Sequence, residues 1–274
     1  VLGLIRVVIW GASGSYGAHY AWIGVTVGAS LIGVVMFGTL AGAMAGTTVS
    51  IGGSEGHHAV SVHRLRIGEE VLVGDGAGVR VSAEVVGVER HTLLTRVIEV
   101  QVRPPADPRF VLVQALAKGD RDEQAIEAAT ELGVDAVVPW QASRSVVQWR
   151  ADKVARGQAR WESIVVAAAK QSRRFQVPQV RPLARTADVV RLLGDAALGI
   201  VLHEEAQAPL ASVELPPTGE IVLVVGPEGG IAQTELDAFA AVGVVAVRLG
   251  PEVLRTSTAG PAALAVLNGM SRWR

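Results

Sequence analysis

The 274-residue sequence contains no cysteine. Disulfide frameworks, thiolate zinc ligation and cysteine nucleophiles are therefore excluded, and a reducing compartment is compatible with the composition. Apolar residues make up 50% of the chain, which is enough at this length to build a sizeable core. The composition is that of a globular protein.

Charged residues are almost absent from the first part of the chain, where Arg6 is the single one before Glu55. The uncharged span 20–54 is long enough to cross a bilayer, and Ala43-Met44-Ala45 resembles a signal cleavage site. Its repeated glycines weaken a helix by roughly 1 kcal/mol each. We therefore expect residues 1–35 to be an apolar leader of uncertain role and expect no membrane association, with an anchor or a signal segment as the alternative.

A second motif lies within this leader. An apolar run precedes Gly11, Gly14 and Gly17, as it does in dinucleotide-binding turns. Such a turn needs an acidic residue roughly 20 positions further on to hold a ribose, and none occurs before Glu55. The glycine triplet alone does not predict a nucleotide site.

Positive charge is concentrated between Arg144 and Arg185, where ten Arg or Lys residues stand against Asp152 and Glu162. The whole chain has 25 basic and 26 acidic residues, so the remainder carries 15 and 24. A local excess of this kind favours a surface for a polyanion such as RNA. The alternative is a solvated helix face.

The stretch before this basic segment predicts a small β-barrel. Short β-rich runs alternate with glycine-containing turns from Glu69 to Val100, and a helix with Val62 and Leu65 inward is expected over His57 to Leu65. Three prolines in the segment 103–108 predict a linker. We therefore expect one domain over 36–103 and a second over 107–274.

Adjacent histidines in the first domain raise the question of a metal site. His57 and His58 have no carboxylate or third histidine at ligand spacing on the same element, so no metal site is predicted. A structural or RNA-facing role is favoured instead. Arg64 and Arg66 would extend a basic surface around His57.

The second domain has the pattern of an α/β fold. Strands are predicted at 110–116, 134–140, 198–203, 220–225 and 244–249, and they are separated by helical runs. Asp120 is expected to cap the first helix, a basic helix is expected over 153–172, and a last helix over 258–270. This alternation predicts a mostly parallel sheet with helices on both faces, whose ligand lies beyond the carboxyl ends of the strands.

Three loops leave predicted strands at that edge: LHEEA from Leu202, GPEGG from Gly226, and LGPEVLRTSTA from Leu249. We expect them to form one cleft lined by main chain. Glycine suits such loops because it lets a ligand approach the backbone and tolerates positive φ, and Glu228 is expected to hold the turn by bonding backbone N–H groups. The Gly-Lys-Ser/Thr of a phosphate-cradling loop is missing, so a neutral or cationic ligand is favoured.

The same loops resemble a known family. VVGPEGGI followed by LGPEVLRTSTA is similar to the signature of the SPOUT superfamily of RNA methyltransferases, and specifically of the RsmE family, which methylates uridine N3 in small-subunit (16S) ribosomal RNA. ATELGVDAVVPW, AAAKQSRRFQVPQV and GSEGHHAVSVHRLRIGEEVLVGDGAG are also similar to that family. The likeness covers about four-fifths of the chain, from Met36 or Thr47 onward, and leaves the first 35 residues and Pro261 as departures.

The resemblance implies a PUA-like RNA-binding β-barrel followed by a SPOUT-type α/β domain with a deep trefoil knot. It also implies S-adenosylmethionine as cofactor, a homodimer, the 16S rRNA of the small ribosomal subunit as partner, and a cytoplasmic location. Carried onto matching positions, it gives a cofactor pocket made of Leu202, His203, Glu204, Gly226, Pro227, Glu228, Gly229, Gly230, Leu249, Gly250, Leu254, Arg255, Thr256 and Thr258.

Arg255 is the residue expected to act in catalysis, by stabilising the uracil anion as N3 loses its proton. RNA contacts are expected from His57, Arg64, Arg66, Arg144, Lys170, Gln171, Ser172, Arg173 and Arg174. Two other functions stay open. The chain is then either a SPOUT-like RNA-binding protein without catalysis or a SPOUT methyltransferase that acts on another RNA position.

Overall fold

The computed structural model describes residues 35–273 of the protein. Residues 1–34, which hold most of the apolar leader and the dinucleotide-type glycine triplet, lie outside the described residues, whereas Ala43-Met44-Ala45 lies between strands at Val35–Phe37 and Thr48–Ile51. None of the helices within 35–273 is both long enough and apolar enough to cross a membrane.

The N-terminal part is built on a five-stranded sheet. Its strands are β1 (Val35–Phe37), β2 (Thr48–Ile51), β3 (Glu70–Gly74), β4 (Val79–Val88) and β5 (Leu93–Val102), in the order β1-β3-β4-β5-β2. All neighbours are antiparallel except β1 and β3. Alternate residues of β4, such as Val81, Ala83 and Val85, are fully buried, which is the period-2 pattern of a sheet with one face on the core.

A short helical segment follows β2 and differs from the expectation. It runs as α1 (Gly53–His57) and continues as a π-helical turn at His58–Val62. Gly56 forms the inward face, because a Cβ there would lie 2.3 Å from the Ile51 carbonyl oxygen. The prediction that Val62 points inward is therefore wrong: it is 62% exposed, whereas Leu65 is buried as predicted.

The second sheet has six strands, all parallel, in the order β11-β9-β10-β6-β7-β8. These strands are β6 (Arg109–Ala115), β7 (Ala136–Trp140), β8 (Gln179–Val180), β9 (Leu198–Leu202), β10 (Glu220–Val225) and β11 (Val245–Val247). The predicted parallel α/β sheet is confirmed.

Helices cover both faces of this sheet. They are α2 (Arg121–Glu131), α3 (Asp152–Gln171), α4 (Thr186–Asp195), α5 (Gln233–Ala240) and α6 (Thr256–Met270). Ile126, Trp161 and Leu264 of α2, α3 and α6 share one core with alternate strand residues. Val189 of α4 and Phe239 of α5 pack in the core on the opposite face.

Two helix starts differ from the sequence prediction. Asp120 stands before α2 with φ 59° and makes no capping hydrogen bond; Asp122 instead accepts the backbone N–H groups of Ala117 and Glu123, at 3.3 and 3.0 Å. The last helix begins at Thr256 and contains Pro261. Proline at that sixth position removes one helical N–H donor.

Candidate active site

A cleft of about 450 Å³ opens at the carboxyl ends of β9, β10 and β11. The three loops therefore meet, because parallel strands deliver their carboxyl ends to one edge. Every predicted pocket residue except Gly229 and Thr258 lines this cleft, and the additional lining residues are Arg121, Val225, Ile231, Val247, Arg248, Pro251, Glu252, Val253 and Ala259.

The glycines of the Gly226–Gly230 turn serve the packing of the protein. A Cβ on Gly226 would lie 2.6 Å from Cγ1 of Ile231, and one on Gly229 would lie 3.3 Å from both Cβ and the carbonyl oxygen of Arg144. Gly230 has φ +72°, the left-handed region that glycine adopts without strain. Gly229 therefore faces the Arg144 loop (residues 141–151, between β7 and α3), and close packing at Gly226 and Gly229 and positive φ at Gly230 favour glycine at these positions.

Glu228 ties this turn to the start of α2. Its Oε1 accepts the backbone N–H of Lys118 at 3.1 Å and a guanidinium N–H of Arg121 at 2.9 Å. Partial burial opposes the carboxylate charge, but hydrogen bonds from the Glu228 and Lys118 backbones and from Arg121 outweigh it and lower the pKa of Glu228. Glu228 is therefore an anionic anchor and is poorly suited to accept a proton.

A buried network joins two of the loops to the centre of the sheet. The hydroxyl of Thr256 donates to the Gly226 carbonyl at 2.8 Å and accepts from Nε2 of Gln114 at 2.9 Å. Gln114 lies on β6 and is fully buried. Sequence analysis missed Gln114, although an amide inside the apolar run 110–116 is itself a signal, since buried polar groups need partners.

Arg255 stands at the mouth of the cleft, immediately before α6. Its side chain is exposed, and within residues 35–273 it makes neither a side-chain hydrogen bond nor an ion pair. His203, in contrast, is engaged: its Nδ1 accepts the backbone N–H of Glu205 at 3.3 Å. Arg255 is thus a cation that can bind a group entering the cleft.

A second anchor behind the cleft was also missed by sequence analysis. Glu235 is buried, and its carboxylate accepts the Ser143 N–H at 2.9 Å, the Thr186 hydroxyl at 2.7 Å and the Ala232 N–H at 3.1 Å. It therefore connects α5 to the Arg144 loop and to α4. Arg144 reinforces that connection by donating to the Gly229 carbonyl at 3.2 Å.

The other predicted RNA-binding residues lie around the N-terminal sheet and the end of α3. His57, Arg64 and Arg66 are exposed on the sheet domain, and Gln171 and Arg173 are exposed at the end of α3. Lys170, at the end of α3, forms an ion pair with Glu55 of the sheet domain. The predicted RNA-binding residues of the sheet domain and of α3 therefore lie side by side. Ser172 is half-buried, and its hydroxyl donates to the Ala168 carbonyl at 2.6 Å.

Arg174 does not belong to this surface, and its assignment to RNA is corrected. Its guanidinium donates to the carbonyls of Thr130 and Val134, at 2.8 and 2.6 Å, and lies 4.0 Å from Asp135. Burial lowers its pKa to about 10. Arg174 therefore stabilises the packing of α2 and α3 and has no guanidinium face available for a phosphate.

No group of three His, Cys, Asp or Glu side chains suited to a metal ion exists within the described residues. His57 and His91 instead face each other with Nδ1 atoms 3.1 Å apart, and His58 stacks on His63.

Comparisons with known proteins place these features in a family. Residues 105–268 match the family model of the RNA methyltransferase domain, and residues 51–98 match that of the RNA methyltransferase PUA domain. The ribosomal RNA small subunit methyltransferase E of Mycobacterium tuberculosis is 44% identical over 233 residues, which are 83% of this chain and 89% of the relative. The chain belongs to the ribosomal RNA small subunit methyltransferase E family.

Further relatives are similar over most of their length. The Bacillus subtilis member is 32% identical over 229 residues, 81% of this chain and 90% of the relative. Among solved structures, the Neisseria gonorrhoeae ribosomal RNA small subunit methyltransferase E bound to S-adenosylmethionine is 28% identical, with a TM-score of 0.76, covering 87% of this chain and 98% of that one. A Legionella pneumophila protein solved with S-adenosylmethionine has 27% identity and a TM-score of 0.77, with the same coverage.

Proposed function

We propose that the protein methylates N3 of a uridine in the 16S rRNA of the small ribosomal subunit, with S-adenosylmethionine as methyl donor. The observation that carries the proposal is the cleft that the three loops form together, with Arg255 at its mouth and without an ion-pair partner among the described residues. Family membership and the S-adenosylmethionine bound to the Neisseria gonorrhoeae structure support it.

The residues of the cleft fit this donor. A volume of about 450 Å³ lies in the range of small-molecule pockets. Leu202, Leu249 and Ile231 offer apolar wall for an adenine, and Glu204 and Glu252 offer acceptors for hydroxyl or ammonium groups. Arg248 offers a cation for a carboxylate. When bound, the donor supplies an activated methyl group on a sulfonium.

Arg255 is proposed to act on the uracil. As N3 loses its proton, negative charge spreads onto the neighbouring carbonyl oxygens, and a guanidinium held at the cleft mouth stabilises that charge. Alignment of the reacting atoms by the cleft walls supplies about 7 to 11 kcal/mol of the barrier reduction in favourable cases. Since Glu228 is held as an anchor of low pKa, it is not proposed as the proton acceptor.

The proposal is tested by Arg255→Ala on small ribosomal subunits that lack the modification. We expect kcat to fall by about 10² to 10³, equivalent to roughly 3 to 4 kcal/mol, with unchanged affinity for the subunit and for S-adenosylmethionine. Arg248→Ala, on the same cleft wall, is the matched control and should act mainly on donor affinity. A variant at Arg255 that methylates at the wild-type rate would remove its catalytic role, and a wild-type protein that binds subunits without transferring a methyl group would favour a binding protein.

The RNA is proposed to contact the N-terminal sheet domain and the end of α3. We assign residues 36–103 to a PUA-like RNA-binding barrel and 107–274 to the methyltransferase domain. The contacts are assigned to His57, Arg64, Arg66, Arg144, Lys170, Gln171, Ser172 and Arg173. Binding that depends on these cations should weaken steeply with salt.

Two features of assembly complete the proposal. The chain is proposed to carry the trefoil knot that its family resemblance implies. A cytoplasmic homodimer is proposed on the ground of the same family resemblance. Light scattering after size exclusion tests the dimer: a monomeric mass at working concentration would contradict it.

A further inference from the structure

A second groove, of about 780 Å³, lies at the carboxyl end of β7. We call it the Trp149 groove and define it by Gln141, Gln148, Trp149, Arg150, Arg185 and Thr186. Only β6 separates β7 from β10 in the sheet, so the groove and the cofactor cleft share one edge at a lateral distance of about 10 Å. None of the six residues that define the groove is among the cofactor-pocket or RNA-binding residues assigned above.

The aromatic wall of the groove is held in place. A Cβ on Gly157 of α3 would lie 2.5 Å from the Trp149 ring, so the indole occupies the space that this glycine leaves. The Trp149 ring also stands edge-on to Trp161, with ring centroids 5.7 Å apart, and the backbone N–H of Trp149 donates to Oε1 of Gln141 at 3.0 Å. A half-buried indole fixed on several sides offers a preformed stacking surface.

The charge of the groove is positive. Arg150 and Arg185 are exposed, and neither forms an ion pair within the part of the chain that the structure describes. Among the described residues, no Asp or Glu belongs to its lining. The acids beside it are already engaged: Asp152 pairs with Arg156, Asp188 pairs with Arg191, and the buried carboxylate of Glu235 is hydrogen-bonded to Ser143 and Thr186.

The groove is physically connected to the cofactor cleft through the Arg144 loop. Ser143 lines the groove, and its N–H is held by the buried carboxylate of Glu235. The next residue, Arg144, donates to the Gly229 carbonyl in the cleft turn. An RNA strand that crosses Arg144 would therefore run from the Trp149 groove into the cofactor cleft.

We propose that the Trp149 groove binds a nucleotide that flanks the target uridine in single-stranded RNA. The base stacks on Trp149 and its phosphate contacts Arg150 and Arg185. The side-chain oxygens of Gln141 and Gln148 already accept from the Trp149 backbone and from Arg150, so their NH2 groups are the donors offered to the nucleotide. Aromatic stacking together with guanidinium groups is the usual chemistry for unpaired nucleotides. This inference rests on the proposed function, whose RNA substrate it extends by one site.

The test compares two double variants. Arg150→Gln/Arg185→Gln removes both cations of the groove, whereas Arg156→Gln/Arg191→Gln removes one arginine outside the groove from each of the helices α3 and α4 that follow Arg150 and Arg185. For the groove variant, we expect KM for unmethylated small subunits to rise about 10-fold or more, with the KM for S-adenosylmethionine unchanged. The control variant should stay within about 2-fold of wild type, because exposed ion pairs contribute little.

Two further readouts distinguish binding from a structural effect. Loss of the contact to one phosphate should reduce the slope of log affinity against log salt by about 0.7. 4-Thiouridine placed beside the target should crosslink to the segment 148–151 in the wild type. Equal behaviour of the two double variants, or crosslinks confined to the N-terminal sheet domain, would overturn the inference. A wild-type protein that crosslinks there and transfers no methyl group would instead overturn the proposed function.

Discussion

Replacing Thr256 with valine removes a single buried hydroxyl that joins two loops of the cleft. That hydroxyl donates to the Gly226 carbonyl at 2.8 Å and accepts from Gln114 at 2.9 Å. Valine has nearly the same shape, and Thr256 is 7% exposed, so the substitution changes hydrogen bonding with little change in packing.

The loss in free energy of unfolding follows from the polar groups that the substitution leaves without a hydrogen-bond partner. Gln114 keeps its weaker bond to the Ala115 carbonyl at 3.2 Å, whereas the Gly226 carbonyl loses the Thr256 hydroxyl. One buried unpaired group costs about 1 to 3 kcal/mol, and a second lost hydrogen bond about 1 kcal/mol. A total of about 3 kcal/mol lowers Tm by about 6 to 12 °C in a protein of this size.

The assay is urea unfolding of both proteins, with titration of S-adenosylmethionine by calorimetry. We expect a lower urea midpoint at unchanged slope, and weaker cofactor binding because the Gly226 turn is less firmly held. Thr258→Val is the matched control, since Thr258 lies one turn into the same helix, is exposed and donates no side-chain hydrogen bond to the described residues. Equal stability of the Thr256 and Thr258 variants would refute the reasoning.

Two more predictions concern burial and close packing. Burial raises the pKa of Asp122 to about 6 from 3.8. Between these pH values the folded state binds more protons than the unfolded state, so the free energy of unfolding falls as pH rises, by about 3 kcal/mol in total. In urea unfolding, the stability of Asp122→Asn relative to wild type should therefore increase from pH 4 to 7.5, and a difference that does not change with pH would contradict this. Gly226→Ala forces a contact at 2.6 Å with Ile231, whereas a Cβ on Gly250 meets nothing closer than 3.5 Å. Thermal unfolding should show a loss of about 1 to 3 kcal/mol for Gly226→Ala alone, and equal Tm values for both variants would contradict it.

The order of strands and helices was largely predictable from sequence, because apolar runs and glycine-rich turns report local structure. The meeting of three loops was predictable for the same reason, since parallel strands share one carboxyl edge. The cleft residues at Leu202, Gly226 and Leu249 are therefore where the sequence placed them.

Long-range partners were beyond that reasoning. The carbonyls that accept from Arg174 belong to Thr130 of α2 and to Val134 in the turn between α2 and β7, and a basic sequence segment does not distinguish such an arginine from an exposed one. Gly229 likewise faces Arg144, which is 85 residues away in sequence. Asp120, which precedes α2 in the left-handed region, makes no capping hydrogen bond, and Asp122 inside the helix bonds the Ala117 and Glu123 N–H groups.

The most direct measurement is methyl transfer from labelled S-adenosylmethionine to unmethylated small ribosomal subunits, followed by nucleoside mass spectrometry of the 16S rRNA. The label should be recovered as 3-methyluridine at one site, and Arg255→Ala should abolish most of it. Recovery of the label in another nucleoside, or of none from a protein that still binds both S-adenosylmethionine and subunits, would contradict the account.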